Sequence, residues 1–170
     1  MADNKANVQE PEQEFNIDTK VKVKSIAGYS TSFSRIETPG DVMVMAKGVF
    51  RMTRSEIIAQ VQKPNNLFTG TDGIGSHAVY YIEDAPTREY LGFDDPSEKR
   101  KQECFSDDLV KEVFEIKSQN KFEEAVSQKF ITRAEKFALM DAIKRLGIND
   151  YNRIRYVEKY TGYKYDNNTQ

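Results

Sequence analysis

Two side chains capable of nucleophilic or acid–base chemistry at neutral pH occur once each in the 170-residue chain: His77 and Cys104. His77 closes the run Gly70-Thr71-Asp72-Gly73-Ile74-Gly75-Ser76-His77. A glycine-rich loop cradles phosphate when its N–H groups converge on a helix start, often with a lysine reaching the terminal phosphates. Here a strand is predicted after the loop, no lysine follows the last glycine, and the spacing fits neither the dinucleotide fingerprint nor the Walker pattern. Gly70, Gly73 and Gly75 are therefore read as suppliers of positive φ angles before a strand. The loop, with Asp72 and His77, becomes a candidate contact loop for a partner or ligand. One histidine cannot build a multi-histidine metal site, and Asp72 alone is no calcium loop. Ser76 and His77 are neighbours in an extended segment and point to opposite faces, which prevents a nucleophile–base pair. A Cys104–His77 dyad requires the segment around Cys104 to fold back, and Glu103, Asp107 and Asp108 beside it disfavour a thiolate. Glu83 and Asp84 form one neighbouring acid pair among 27 acids, a coincidence that suits a turn as well as acid–base work. The residues thus predict no catalytic set, no cofactor and no bound metal.

The second candidate surface is C-terminal. Tyr151, Arg153, Arg155, Tyr156, Lys159, Tyr160 and Tyr163 interleave aromatics with cations, a composition that stacks bases and meets phosphates. Tyrosine and arginine are also enriched in protein–protein contacts. A helix–turn–helix reader fails the sequence test. With Gly147 as the turn glycine, the small residue expected four positions earlier is Ile143, and the apolar one expected six positions later is Arg153.

The elements that must position these residues change character along the chain. Residues 1–18 are poor in apolar groups and are expected to be a disordered acidic arm, with Phe15 and Ile17 able to dock at its end. Thr19 to Ile26 alternates valines with Lys20, Lys22 and Lys24, the pattern of a half-buried strand, expected at a sheet edge where lysines discourage pairing. Strands are also predicted over Tyr29–Ile36 and from Val42 to about Lys47. Ala78–Glu83 and Glu89–Phe93 read as a hairpin turning at Asp84-Ala85-Pro86-Thr87. Thr53-Arg54-Ser55-Glu56 has the form of a capping box opening a short helix that Pro64 stops. From Ser106 the apolar period becomes helical. A second capping box, Thr132 to Glu135, opens a helix ending at Gly147, and Asn149 or Asp150 starts another that Gly162 stops. The reading is α+β: a small antiparallel sheet or partly open barrel over 19–93, a linker over 94–105, a three-helix segment over 106–165 and a frayed tail over 166–170.

With 38% hydrophobic and 31% charged residues, the chain is too apolar to be wholly disordered. Its one cysteine excludes an internal disulfide, and no run reaches the roughly 18 apolar residues that cross a bilayer. The start, Met1 to Asn7, lacks a signal-peptide pattern, so a cytoplasmic location without membrane contact is expected. Net charge is −2, but it is unevenly distributed. Residues 1–19 hold five acids against one base, 20–93 seven against nine, 94–128 ten against six, and 129–170 five against nine. Such alternation allows segments to attract one another or an outside partner.

The runs Thr132-Arg133-Ala134-Glu135-Lys136, Ile148-Asn149-Asp150-Tyr151 and Phe68-Thr69-Gly70-Thr71-Asp72-Gly73 are similar in style to small proteins of tailed phages and mobile elements. That resemblance covers residues 20–165 and carries no activity. It implies a virion component or intracellular accessory protein rather than a metabolic enzyme. The expectation is a non-enzymatic interaction or assembly factor with a protein partner or self-association. The alternative is a nucleic-acid-binding accessory protein that uses the basic C-terminal helix.

Overall fold

The structure, a computed structural model, describes residues 14–165. The arm predicted over 1–18 lies mostly, and the tail over 166–170 wholly, outside them. Five strands form in chain order: β1 (Lys20–Ser25), β2 (Thr31–Ser34), β3 (Asp41–Val44), β4 (Val49–Thr53) and β5 (Tyr80–Ile82). Helix α1 (Arg54–Gln62) and the short α2 (Asn66–Thr69) follow β4, and α3 (Ala85–Tyr90) follows β5. The chain ends in α4 (Asp107–Glu115), α5 (Gln119–Lys129), α6 (Arg133–Arg145) and α7 (Tyr151–Thr161). The fold is α+β, and its sheets are small and open.

The alternation read in β1 is real: Val21, Val23 and Ser25 are buried while Lys20, Lys22 and Lys24 are exposed. Its place in the sheet is not the one expected. β1 pairs antiparallel with β4 on one side and β5 on the other, giving the order β4-β1-β5. It is the central strand, so its lysines guard no edge. Alternation reports which face is wet and carries no information about lateral neighbours. β2 and β3 form a separate antiparallel pair. Its inward Phe33 and Val44 pack with Tyr80, Phe68 and Ile57 in the first core.

The hairpin expected at 78–93 is also replaced. Only β5 forms, and Asp84 caps α3 by accepting the Thr87 N–H at 3.1 Å. Arg54 donates to the same carboxylate from Nε at 3.0 Å. Asp-x-Pro-Thr suits a turn and a helix start equally, because proline is at home in the first helical turn. The fifth strand comes instead from Val49–Thr53, a segment to which the sequence reading assigned no element. Thr53 caps α1 as expected, but Glu56 does not close the box. Its carboxylate reaches across to the Ile36 and Glu37 N–H groups at 2.8 and 3.0 Å.

The helical run from Ser106 divides in two, because Ser106 and Ser118 each cap a helix. α4 to α7 enclose a second core around Val110, Phe122, Leu139 and Ile143. α6 keeps its complete capping box and ends at Gly147, φ 64°, in a doubly bonded C-cap: Gly147 N–H to Lys144 O and Ile148 N–H to Ile143 O. Within residues 94–105, Asp94 and Gln102 are buried while Pro96, Ser97, Glu98 and Lys99 are exposed. Asp94 is buried, paired to Arg88 at 2.9 Å, and accepts the Gln102 N–H at 2.7 Å. A small apolar cluster of Ile26, Ala27 and Ala134, with Phe105 against it, joins the two cores.

Candidate functional site

The glycine loop is closed upon itself. Asp72 accepts the N–H groups of Ile74 and Ser76 at 3.0 and 3.1 Å, Thr71 N–H bonds Ser76 O, and Gly75 N–H bonds Thr69 O. Burial alone would raise the Asp72 carboxyl, but bonds from Ser76 and Ile74 outweigh it and hold it below its ordinary value. The loop's own carboxylate thus takes the Ile74 and Ser76 donors, and backbone carbonyls take those of Thr71 and Gly75. Gly70, Gly73 and Gly75 have φ of 69°, 83° and 89°, which agrees with the conformational role read from the sequence. A Cβ at Gly70 would overlap the Ser76 carbonyl, and one at Gly75 would press on the Phe93 ring.

The loop delivers His77, itself at φ 58°, to the N-terminus of α6. His77 Nδ1 lies 2.7 Å from Glu135 Oε1, while Glu135 Oε2 accepts the N–H groups of Ile131 and Thr132 at 2.8 and 2.9 Å. Both sit in a cleft of about 280 Å³ that Ser76, Arg100, Lys101, Cys104 and Lys129 also line. The segment around Cys104 has therefore folded back, as a Cys104–His77 dyad would require. The chemistry does not follow. Cys104 Sγ is 3.5 Å from Phe105 O, no hydrogen bond joins it to His77, and burial pushes its thiol up. A half-buried thiol pushed up in this way is a poor nucleophile. No group of three or more histidine, cysteine or acidic residues among those described is arranged to hold a metal ion.

A larger cleft of about 460 Å³ runs between the sheet and α6. Its charges are largely matched within it, Lys47 to Asp141 and Arg145 to Asp107. That pairing pulls the Asp107 carboxyl down.

On the C-terminal surface the predicted residues separate into two groups. Arg153 turns inward: its guanidinium donates to the carbonyls of Phe114 and Ile116 and lies 4.7 Å from the Phe122 ring centre. Tyr156 OH donates to Glu123 O, and Tyr160 OH donates to Phe130 O at 2.9 Å. Tyr163 meets Phe137 edge to face at 5.5 Å. These four residues fasten α7 to its neighbours. Tyr151, 66% exposed, remains outside with Arg155 and Lys159.

The sequence reading passed over the surface that the β-sheet presents. Lys20, Lys22 and Lys24 of β1 and Arg51 of β4 share the outer face, with Lys22 opposite Arg51. None of the four forms an ion pair among the described residues. Around the β3–β4 connection Met43, Met45 and Val49 are 75%, 67% and 57% exposed. The alternation in β1 signalled the lysines; the methionines gave no signal, since "Val-Met-Val-Met" reads equally as a buried strand. Comparison with protein-family models, with curated proteins and with solved structures found no match.

Proposed function

We propose that this chain is a non-enzymatic protein-binding module that holds a neighbouring protein in an assembly. The observation that carries this reading is the exposure of three large apolar side chains close in sequence: Met43 in β3, Met45 in the β3–β4 connection and Val49 at the start of β4. Large apolar side chains left in water gain when a partner covers them, and unbranched methionines adapt to the shape they meet. The polar surroundings fit the reading too. His77 and Glu135 are engaged with each other, burial pushes the half-buried Cys104 thiol up, and the loop N–H groups of Thr71, Ile74, Gly75 and Ser76 are occupied.

Nucleic-acid recognition by the C-terminal helix has less in its favour, because Arg153, Tyr156 and Tyr160 spend their polar groups on neighbouring carbonyls. No helix among the described residues is long and apolar enough to cross a membrane. On the resemblance in style read from the sequence, we extend the proposal to a minor virion or accessory protein.

The test is a photo-cross-linking amino acid placed at Met43 or Met45 in the full chain, introduced where the chain is naturally made. Transfer of label to one defined protein, lost in Met43→Lys with Met45→Lys while far-UV circular dichroism is unchanged, supports the reading. A monomer that labels nothing removes its basis.

A further inference from the structure

The exposed apolar group adjoins a sheet edge with unusual properties. In the β1–β4 ladder Ser25 N–H bonds Gly48 O, and Thr19 O accepts the Arg54 N–H. Antiparallel pairs alternate between bonded and non-bonded, so Phe50 and Met52 direct their backbone groups at β1. Val49 and Arg51 direct theirs the opposite way. β4 is an outer strand of the β4-β1-β5 sheet, and neither residue's N–H or C=O has a partner among the described residues. An open edge of this kind is a template for another strand. Above it stand Arg51 and, one strand in, Lys20, Lys22 and Lys24.

Resting on the protein-binding reading above, we infer that β4 accepts an acidic, extended segment of the partner protein as an added antiparallel strand. Its backbone would bond Val49 and Arg51. An acidic side chain would stand opposite Arg51, and an apolar one, two positions away, opposite Val49. Cross-strand neighbours of opposite charge stabilise a sheet, and like charges directly opposite disfavour it. The same rule counts against a second copy of β4 centred on Arg51, which sets two arginines face to face, while a copy centred on Phe50 sets Val49 opposite Arg51 and offers the guanidinium no carboxylate. A single-stranded nucleic acid also carries negative charge, but it binds sheets through exposed aromatic platforms. The one aromatic ring on this face is Tyr81, half-buried, with the Arg88 guanidinium 5.1 Å over it.

The experiment uses the full chain, isotopically labelled, with an acetylated and amidated Val-Thr-Glu-Thr-Val-Thr-Glu peptide, its counterpart with lysines in place of the glutamates, and oligothymidylate as probes. The acidic peptide should bind, more weakly as salt rises, and should slow amide exchange at Val49 and Arg51 while leaving Phe50 and Met52 unchanged. Arg51→Glu should weaken it about tenfold or more. Val49→Pro, which removes only an outward donor, should abolish binding with the fold intact. No binding at low salt overturns the inference, as does binding without protection of Val49 and Arg51. Tighter binding of oligothymidylate, with changes at Lys20, Lys22 and Lys24 instead of the edge, also overturns it. If cross-linking from Met43 or Met45 still labels one protein in those cases, the protein-binding reading stands and only the edge strand falls.

Discussion

The imidazole of His77 and the carboxylate of Glu135 meet at 2.7 Å across 58 positions of sequence, joining the glycine loop of the β-rich half to the first turn of α6. Glu135 is buried and serves two masters: the capping box of its own helix, and the loop opposite.

Glu135→Ala should therefore cost more than an ordinary cap. It strands the Ile131 and Thr132 N–H groups and the imidazole together, a loss of about 2–4 kcal/mol. His77→Ala removes one partner of Glu135 and should cost about 1 kcal/mol. Urea unfolding of both variants checks the order, and equal costs would mean that the contact with His77 dominates the site.

Arg153 and Arg155 are two residues apart with opposite prospects. Arg153→Ala frees the Phe114 and Ile116 carbonyls at the α4–α5 junction and should destabilise by about 2–4 kcal/mol. Arg153→Lys should rescue little, since an ammonium cannot span the two carbonyls as the planar fork does. Arg155→Ala, on the exposed face, should stay within about 0.5 kcal/mol. Thermal melts of the three variants decide.

Glu56 gives the fold an acid-sensitive clasp. Burial raises its carboxyl, but bonds from Ile36 N–H, Gln60 and Glu37 N–H outweigh that and hold it below the ordinary 4.5. A carboxyl depressed on folding contributes stability that is complete above its unfolded value and lost as pH falls through the folded one. Stability should thus hold down to about pH 5 and then fall toward pH 3. In Glu56→Gln the fall should be shallower, at lower stability near pH 7. Chemical denaturation across that range measures both slopes.

The glycine loop separates conformational from steric cost. At Gly73 an added Cβ meets nothing within 4 Å, so Gly73→Ala should lose only the price of a positive φ, about 1–2 kcal/mol. At Gly75 the same φ cost adds to a clash with Phe93, 2.7 Å from the added Cβ. Gly75→Ala should lose clearly more, and similar melting temperatures for the two would count against the packing described.

Much of this was legible one residue at a time. The caps at Thr53 and Thr132, the cap of α7 narrowed to Asn149 or Asp150, the stops at Gly147 and Gly162 and the alternation of β1 are local, because each depends on side chains within a few positions of the backbone they satisfy. The candidate site was legible only in its parts. His77, Cys104 and the C-terminal cations were identified, but their partners were not, since Glu135 and Phe114 lie 58 and 39 positions from the groups they hold.

The sequence by itself thus determined the α+β class, the caps that start α1 and α6, the glycine stops of α6 and α7, and which face of β1 is wet. Tertiary structure decided that β1 lies at the centre of its sheet, that Asp84 starts a helix in place of a turn, and that Arg153 faces inward. It also decided that Val49 and Arg51 lie on an open edge. The reason is physical: periodicity records the burial of a face, whereas strand order and hydrogen-bond partners follow from long-range contacts that no local pattern encodes.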